Sequence, residues 1–214
     1  MIKQFVFNHF QVNTFVLYDK TGQCVIIDAG CNEQTEKQEL FSFIESNNLS
    51  VKKLLLTHAH LDHFCGMADL ARKYNIPITM HENGKKIFHI FTLQAQGMNF
   101  QPVDMTDVAF EYINYGKEIS FGDNYTLKTL NASGHCPGSI AYYSPSDNAV
   151  FVGDAVFRQT IGRTDLFGGD LDELVDNINN NIMTLPLDTV ILCGHGPQTD
   201  VEYERSNNPY IQQY

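Results

Sequence analysis

The chain has 214 residues, of which 43% are apolar and 18% charged, so it can bury a core without disulfides or structural metals. The net charge is −11, and only three Arg and no Lys follow Lys128, which argues against nucleic acid as a partner. No apolar run approaches the ~20 residues that span a bilayer. No secretion signal is visible and the five Cys lack a CxxC spacing, so we expect reduced thiols and a cytoplasmic location.

The N-terminal quarter of the chain has the pattern of a small sheet. Alternating or continuous apolar residues predict three strands, at residues 2–10, 14–18 and 24–27. The connections between them are short, so we expect an antiparallel meander. Helical spacing then predicts a helix over 33–47, and residues 51–56 form the next strand.

The middle of the chain alternates between helical and strand patterns. Met67–Tyr74 and residues 82–91 have helical spacing, and residues 76–80 have the pattern of a short strand. Residues 93–114 show no regular pattern, and irregular segments of this kind often serve as binding loops or lids. The alternation of strands and helices predicts an α/β layer arrangement.

The second half begins with a second group of strands. Four are predicted, at residues 117–121, 125–130, 139–143 and 149–152, with turns at 122–124 and 144–148. A helix is expected over 171–183, with Asp170 as its N-cap. Val190–Cys193 is the last predicted strand, and the chain ends in a polar tail that includes residues 207–209.

The segment directly after strand 51–56 is rich in metal-type ligands. His58, His60, Asp62 and His63 fall within six residues. In an extended chain, residues i and i+2 point the same way, so His58 and His60 can reach one ion together. If the chain then turns, Asp62 and His63 reach a second position nearby. Imidazole and carboxylate suit Zn²⁺ and related divalent ions, so the pattern predicts a metal site rather than an ordinary polar loop.

Three later turns each add one candidate ligand where an apolar strand stops at a glycine. Each ligand directly follows its glycine, and the three are His135, Asp154 and His195, with His135 after the strand at 125–130. Glycine permits tight turns and close approach of the backbone to a ligand. Each turn alone has an ordinary structural explanation, but four such strand ends in one chain favour a shared site.

The whole motif series resembles that of the metallo-β-lactamase fold superfamily, over roughly residues 13–197. The resemblance implies a mixed α/β fold, a four-layer αββα sandwich with the site at one edge, and a single domain over 1–214. It also implies a ligand set: His58, His60 and His135 for one metal, Asp62, His63 and His195 for the second, and Asp154 bridging both.

Two ligands narrow the resemblance further. Asp154 stands where the commonest β-lactamases of this fold carry Cys, and His60 stands where the flavodiiron relatives carry Glu. Three segments resemble short bacterial glyoxalase II-type hydrolases: 134–139, 161–166 and 194–197. The chain departs from that pattern at Cys136, where Thr is usual, and lacks a separate C-terminal helical domain that grips glutathione. Thioester hydrolysis is therefore implied more strongly than glutathione specificity.

The implied chemistry uses two divalent metal ions, with Zn preferred and Fe or Mn also compatible with the ligands. Two ions ~3.5–4 Å apart can share one water and lower its pKa from ~16 toward ~7. The bridging hydroxide would attack a thioester or related ester carbonyl, and a thiolate leaves without acid assistance. Asp62 is expected to be both a metal ligand and the catalytic proton acceptor.

Four further residues are candidates around this site. Asp28 and Thr57 could orient ligating imidazoles, and a plain turn or capping role is equally open for both. Arg163 and Arg158 could bind a substrate carboxylate, or they could form ion pairs within the protein instead. The acidic residues close to Arg163 in sequence are Asp165 and Asp170.

Two other functions stay open at this point. A mononuclear iron dioxygenase acting on persulfides would use His58, His135 and Asp154 and leave the other ligand positions empty. A metal-binding module without turnover is the non-enzymatic alternative, and the complete ligand series disfavours it. A small-molecule substrate is expected for either enzyme. The sequence does not determine the acyl group, the thiol, the native metal or the oligomeric state.

Overall fold

The computed structural model describes residues 1–123 and 125–211, so Asn124, the last residue of the turn expected at 122–124, lies outside it. Two six-stranded sheets face each other, and helices cover the outer face of each sheet. The predicted four-layer αββα sandwich is therefore confirmed. In the described residues, no helix combines the length and the apolar character that a bilayer crossing requires. The single domain over 1–214 stays a prediction.

The strands of the first sheet lie side by side in chain order. They are β1 (Ile2–Phe7), β2 (Val12–Tyr18), β3 (Gln23–Ile27), β4 (Ser50–Leu55), β5 (Ile78–Met80) and β6 (Phe110–Tyr112). The first two pairs are antiparallel, which confirms the meander, and the other three pairs are parallel. β1 stops earlier than expected because Asn8 has φ 52°, a left-handed conformation that Asn tolerates and that ends a strand.

The second sheet has the spatial order β14-β13-β10-β9-β8-β7. Its strands are β7 (Glu118–Phe121), β8 (Tyr125–Asn131), β9 (Ile140–Ser144), β10 (Ala149–Gly153), β13 (Val190–Cys193) and β14 (Thr199–Asp200), and a separate two-stranded hairpin consists of β11 (Val156–Phe157) and β12 (Thr160–Ile161). β10 and β13 are parallel neighbours, whereas the other strand pairs described in this sheet are antiparallel. The sequence did not predict β6, β14 or the hairpin, whose strands have two or three residues each.

Seven helices flank the two sheets in the described residues. They are α1 (Gln34–Ser46), α2 (Leu61–Phe64), α3 (Met67–Tyr74), α4 (Lys85–Phe88), α5 (Phe91–Met98), α6 (Leu171–Asn177) and α7 (Val201–Asn207). The predicted bounds of α3 are confirmed, as is the Asp170 N-cap of α6, whose carboxylate accepts from Glu173 N at 3.0 Å. The helix expected over 171–183 continues beyond α6 as a π-helical turn, Ile178–Ile182.

The single helix predicted over 82–91 is wrong. A 3₁₀ turn (Glu82–Gly84) leads into α4, and the chain bends at Ile90 before α5 begins. Asn and Gly at 83 and 84 are poor helix formers, which explains the irregular start. α5 lies in the stretch to which no element was assigned, because its Gln and Gly residues leave only a weak apolar stripe.

Three apolar layers hold the sandwich together. Between the sheets, the rings of Phe15 on β2 and Phe151 on β10 meet with centroids 5.1 Å apart. Leu40 and Ile44 of α1 bury against the first sheet, and Leu174 of α6 buries against the second. The layer between the sheets holds their edges in line, so loops that leave both sheets at one edge can meet.

Helix α7 is anchored by a buried carboxylate. Glu204 is fully buried, and its oxygens accept hydrogen bonds from Gln159 N at 3.0 Å, Thr199 Oγ1 at 2.6 Å and Asn208 Nδ2 at 2.8 Å. These partners lie on the β11–β12 connection, on β14 and after α7. One side chain therefore ties the hairpin to the C-terminal helix.

Glu204→Ala should lower the free energy of unfolding by about 3 kcal/mol, because three buried donors lose a charged acceptor. Urea denaturation followed by circular dichroism measures the change. Glu202→Ala is the matched control, since Glu202 is exposed on the same helix and should leave the urea midpoint unchanged. A Glu204→Ala midpoint equal to that of the control would contradict the anchoring role.

Candidate metal centre

The seven candidate ligands lie on loops that follow four strands, at one shared edge of the two sheets. β4 leads to the segment 57–63, β8 leads to His135, β10 to Asp154 and β13 to His195. Backbone hydrogen bonds join these loops: Ile140 N donates to Thr57 O at 2.8 Å, and Gly194 N donates to Gly153 O at 2.7 Å. The parallel pairing of β10 with β13 therefore sets Asp154 beside His195.

Three imidazoles form one half of the cluster. His58, His60 and His135 each place one ring nitrogen within 4.8 Å of the others. His60 Nδ1 lies 2.9 Å from His135 Nε2, and the His58 ring centroid is 4.9 Å from that of His60 and 5.0 Å from that of His135. All three residues are buried.

Asp62, His63 and His195 form the other half. One ligand atom from each lies within 4.8 Å of the other two, and His63 Nε2 is 3.1 Å from His195 Nε2. The two groups of ligands in the segment 57–63 are separated at His60, whose backbone is extended (φ −69°, ψ 146°) and which immediately precedes α2. The switch from extended to helical backbone sends Asp62 and His63 away from the direction of His58 and His60.

Asp154 lies between the two halves. Its Oδ1 atom is 3.3 Å from His63 Nε2, and its Oδ2 atom is 3.5 Å from His195 Nε2 and 3.7 Å from His135 Nε2. Its carboxylate is the group that contacts ligand nitrogens of both halves. The turn at Gly153, with φ 54°, directs it there.

Asp28 and Thr57 hold two imidazoles from outside the cluster. The Asp28 carboxylate accepts from Thr57 N at 2.7 Å, from Thr57 Oγ1 at 2.5 Å and from His63 Nδ1 at 3.0 Å. Because the Thr57 hydroxyl donates its proton to Asp28, it accepts from His58 Nδ1, 3.0 Å away. Asp28, His58 and His63 also place ligand-type atoms within 4.8 Å, but these hydrogen bonds already engage the Asp28 oxygens.

Backbone carbonyls hold two further imidazoles. His135 Nδ1 donates to Arg163 O at 2.7 Å, and His195 Nδ1 donates to Phe10 O at 2.8 Å. A carbonyl oxygen only accepts, so each Nδ1 carries a proton, and each Nε2 is the nitrogen that faces the cluster and can bind a metal ion when it carries no proton. Neither Phe10 nor the Arg163 carbonyl could be identified from the sequence, because backbone atoms leave no residue-type signal.

The arrangement fits divalent metal ions. Lone pairs that face each other at 2.9 Å and 3.1 Å repel unless a cation or a proton lies between them. Among the described residues, His58 Nε2 and Asp154 Oδ1 are buried without a hydrogen-bond partner, which is costly for polar atoms. Imidazole nitrogen and carboxylate oxygen together are the donor set that Zn, Fe and Mn accept.

The two halves differ in charge preference. Burial and the neighbouring imidazoles lower the pKa of His60 to about 4 and hold the pKa of His58 well below its usual range. Burial also acts to lower the pKa of His195, but hydrogen bonds to Asp154 and Asp62 outweigh it and raise that pKa to about 9. The half that contains Asp62 therefore stabilises positive charge, whereas His58 and His60 supply neutral nitrogen ligands to the other half.

A cavity of about 690 Å³ opens beside the cluster. Five candidate ligands line it, namely His60, Asp62, His135, Asp154 and His195, and most of the other lining residues, here called its walls, are apolar: Phe10, Ile90, Met98, Leu166 and Phe167. The sequence did not single out these wall residues. Met98 is the last residue of α5, so the stretch that had no assigned element does contribute to the pocket.

The two arginines proposed as substrate contacts occupy different places. Arg163 lines the cavity, but its Nε and Nη2 atoms both donate to the Asp165 carboxylate at 2.7 Å, which is the ion pair that the sequence left open. Arg158 lies over the ring of Tyr203, 4.3 Å from its centroid, and lines a neighbouring groove beside His195 instead.

The cysteines beside the ligands are buried thiols. All five Cys are free and buried. Burial raises the pKa of Cys136 to about 12 and that of Cys65 well above its usual value. A thiol with so high a pKa is a poor nucleophile at neutral pH, so neither residue competes with the His/Asp cluster as a catalytic group.

Comparison with known proteins identifies the family. The family model for the metallo-beta-lactamase superfamily matches residues 8–195, which include all seven candidate ligands. This chain therefore belongs to the metallo-β-lactamase superfamily, and its His/Asp cluster is of the metal-binding type found in metallo-hydrolases.

Two curated relatives cover nearly the whole chain. The "Probable metallo-hydrolase YqgX" of Bacillus subtilis is 35% identical, over 94% of this chain and 92% of its own length. The "Hydroxyacylglutathione hydrolase GloC" of Haemophilus influenzae is 32% identical, over 94% of this chain and 93% of its own length.

Two solved structures have closely similar folds. BLEG-1, titled a B3 metallo-beta-lactamase, has a TM-score of 0.87 at 31% identity and covers 99% of this chain and 100% of its own. TTHA1623 in a di-iron-bound form has a TM-score of 0.85 at 29% identity and covers 98% and 100%.

Asp28→Asn tests the orienting hydrogen bonds. The amide weakens the hold on His63 Nδ1 and on Thr57, so affinity for metal should fall by about 10- to 100-fold. Competition with a chelator of known affinity, read by elemental analysis of the protein, measures the loss. Asp188→Asn, on an exposed turn, is the matched control and should retain wild-type affinity. An Asp28→Asn affinity equal to that of the control would exclude the orienting role.

Gly194→Ala tests the close packing behind the cluster. A Cβ atom there would lie 2.2 Å from Asp154 Oδ1 and 2.7 Å from His63 Cε1, so both side chains must move. We expect the purified protein to lose at least half of its bound metal, measured by elemental analysis. Gly97→Ala on α5 meets no atom within 4 Å and should keep the wild-type metal content. Full metal content in Gly194→Ala would show that the cluster tolerates displacement.

Proposed function

We propose that this protein is a dinuclear metal-dependent hydrolase that cleaves a thioester or related ester. The observation that carries the proposal is the pair of adjacent ligand groups with Asp154 in contact with both. His58, His60 and His135 would hold one ion, Asp62, His63 and His195 the other, and Asp154 both.

Two divalent ions, when bound, supply a hydroxide nucleophile from water at neutral pH and an electrophile for the carbonyl oxygen. The residues of the chain supply position and charge. Asp28, Thr57 and the carbonyls of Phe10 and Arg163 orient the imidazoles before any ligand arrives. Because only two carboxylates, Asp62 and Asp154, join the ligand set, positive charge remains for the oxyanion that forms at the carbonyl.

Asp62 is the proposed proton acceptor. Burial acts to raise its pKa, but the charge of His63 and the hydrogen bond from His195 outweigh it and lower that pKa. Asp62 is therefore ionised at neutral pH, lines the cavity and can take the proton that the attacking water loses.

Two further points support a thioester substrate and leave the metal open. A thiolate leaves without a general acid, and the described residues of the cavity wall are mainly apolar side chains that cannot donate a proton. The relative GloC is named a hydroxyacylglutathione hydrolase, which is a thioester hydrolase. The related structure with two irons favours Fe as a candidate beside Zn and Mn.

Asp154→Ala is the decisive variant. It removes the carboxylate that both ion positions share, so metal content should fall from two ions per chain and hydrolysis should drop at least 1000-fold. Elemental analysis of protein purified without added metal, paired with hydrolysis of S-lactoylglutathione and simpler thioesters, measures both effects. Asp188→Ala is the control for general surface changes.

Two results would overturn the proposal. One iron per wild-type chain with oxygen consumption on a persulfide would favour the dioxygenase, which needs only His58, His135 and Asp154. Two bound metals with no hydrolysis of any thioester or ester would leave a metal-binding module. A fully active Asp154→Ala variant would contradict the bridging assignment alone.

A further inference from the structure

The cavity beside the cluster is shaped for an apolar group. Its volume of about 690 Å³ falls within the ~300–1,000 Å³ typical of small-molecule sites. Leu166, Phe167 and Phe10 line it and keep 41%, 58% and 40% of their surface exposed. Large apolar side chains that stay exposed at the mouth of a candidate active site indicate contact with an apolar ligand.

The cavity offers little to an anionic substrate. Among the described residues that line it, Arg163 is the one with a permanent positive charge, and the Nε–Nη2 edge of its guanidinium already binds the Asp165 carboxylate, which offsets that charge. A glutathione thioester carries two carboxylates and one ammonium group. Its carboxylates would meet no cationic side chain here that is not already paired with an acidic one, so the glutathione part contributes little binding.

Each apolar wall is tied to a segment that carries candidate ligands. The Phe10 carbonyl accepts from His195, and the Arg163 carbonyl, at the start of the loop with Leu166 and Phe167, accepts from His135. The loop is also held at its far end, where Asp170 N donates to Gly134 O at 2.8 Å. A substrate chain that binds to this loop therefore has a fixed position relative to the candidate ligand His135.

The third wall is tied to α2. Leu61 N, at the start of α2, donates to Gln94 Oε1 of α5 at 2.9 Å, and the Phe64 and Phe91 rings meet with centroids 5.2 Å apart. Because α2 carries Asp62 and His63, these contacts couple the position of α5, which begins after Ile90 and ends at Met98, to that of the two ligands. All three walls are thus set by the same contacts that place the cluster.

On the basis of the function proposed above, we propose that the preferred substrate is an uncharged thioester with an apolar chain, and that Leu166 and Phe167 determine this preference. The apolar chain of the substrate lies between the 163–167 loop and the wall formed by Phe10, Ile90 and Met98. The thioester carbonyl of the substrate faces the cluster. In this proposal the protein does not recognise the glutathione part of a thioester, and other thiols can replace it.

Binding of unreactive thioethers tests the preference without turnover. S-hexyl-N-acetylcysteamine and S-hexylglutathione share one apolar chain and differ in thiol, and the two S-methyl analogues lack the chain. In calorimetric titrations of the metal-free and the metal-loaded protein, each hexyl compound should bind at least tenfold more tightly than its methyl analogue. The hexyl group on the neutral thiol should bind at least as tightly as the hexyl group on glutathione.

Variants assign the preference to named residues. Phe167→Ala and Leu166→Ala should each weaken hexyl binding about five- to tenfold and leave methyl binding unchanged. Leu187→Ala removes a comparably exposed leucine outside the cavity and should change neither. Asp165→Asn frees the Arg163 guanidinium and should strengthen S-hexylglutathione binding up to about fivefold, with no effect on the neutral compound.

The outcomes separate this inference from the function on which it rests. Equal binding of hexyl and methyl compounds, or S-hexylglutathione bound tenfold more tightly than the neutral thioether, would overturn the inference. Faster hydrolysis of S-lactoylglutathione than of hexanoyl-N-acetylcysteamine would overturn it too and keep the hydrolase. If protein with two bound metals hydrolyses neither compound, the hydrolase proposal itself fails, whatever the cavity binds.

Discussion

The inward direction of the imidazole lone pairs is the constraint on which the site depends. Burying nitrogen atoms that face one another without protons between them is unfavourable, and an unrestrained ring would rotate to avoid it. Hydrogen bonds to Thr57, Asp28 and two backbone carbonyls prevent this rotation in four of the five imidazoles. The packed layer between the sheets holds these acceptors in place, so the sandwich stabilises an arrangement that the cluster alone would not adopt.

Those outer hydrogen bonds also connect the metal-type ligands to the cavity. Phe10 accepts from His195 through its carbonyl and lines the cavity with its ring, so one residue serves both regions. Arg163 also connects the two regions, because its carbonyl accepts from His135 and it begins the loop that carries Leu166 and Phe167 into the cavity lining. A change in the apolar wall therefore alters ligand geometry unless it spares the backbone, which is why side-chain truncations at 166 and 167 are informative.

The sequence was informative where chemistry or periodicity is local. Ligand spacing after strand ends indicated which loops would meet, and α3 and β13 were predicted with their observed bounds. The sequence was uninformative where tertiary contacts determine whether an element forms. α5 depends on the side chain of Gln94 bonding to Leu61 N, and α7 depends on buried Glu204, so neither has a strong pattern of its own. The partners of Arg158 and Arg163 could not be predicted for the same reason, because the three-dimensional fold determines which group lies beside a cationic side chain.

The unequal charge of the two halves has a consequence for how ions would enter. His58 and His60 offer neutral nitrogens to an ion in their half, whereas the half with Asp62 already attracts positive charge, because the pKa values of His63 and His195 are raised. An ion entering that half must displace those protons, since ligands bind metal only when deprotonated. Asp154 contacts both halves, so the first ion to bind lowers the negative charge available to the second. The shared Asp154 carboxylate therefore makes the two ion positions interdependent. The half with His58 and His60 gains most from Asp154, because it has no other carboxylate ligand.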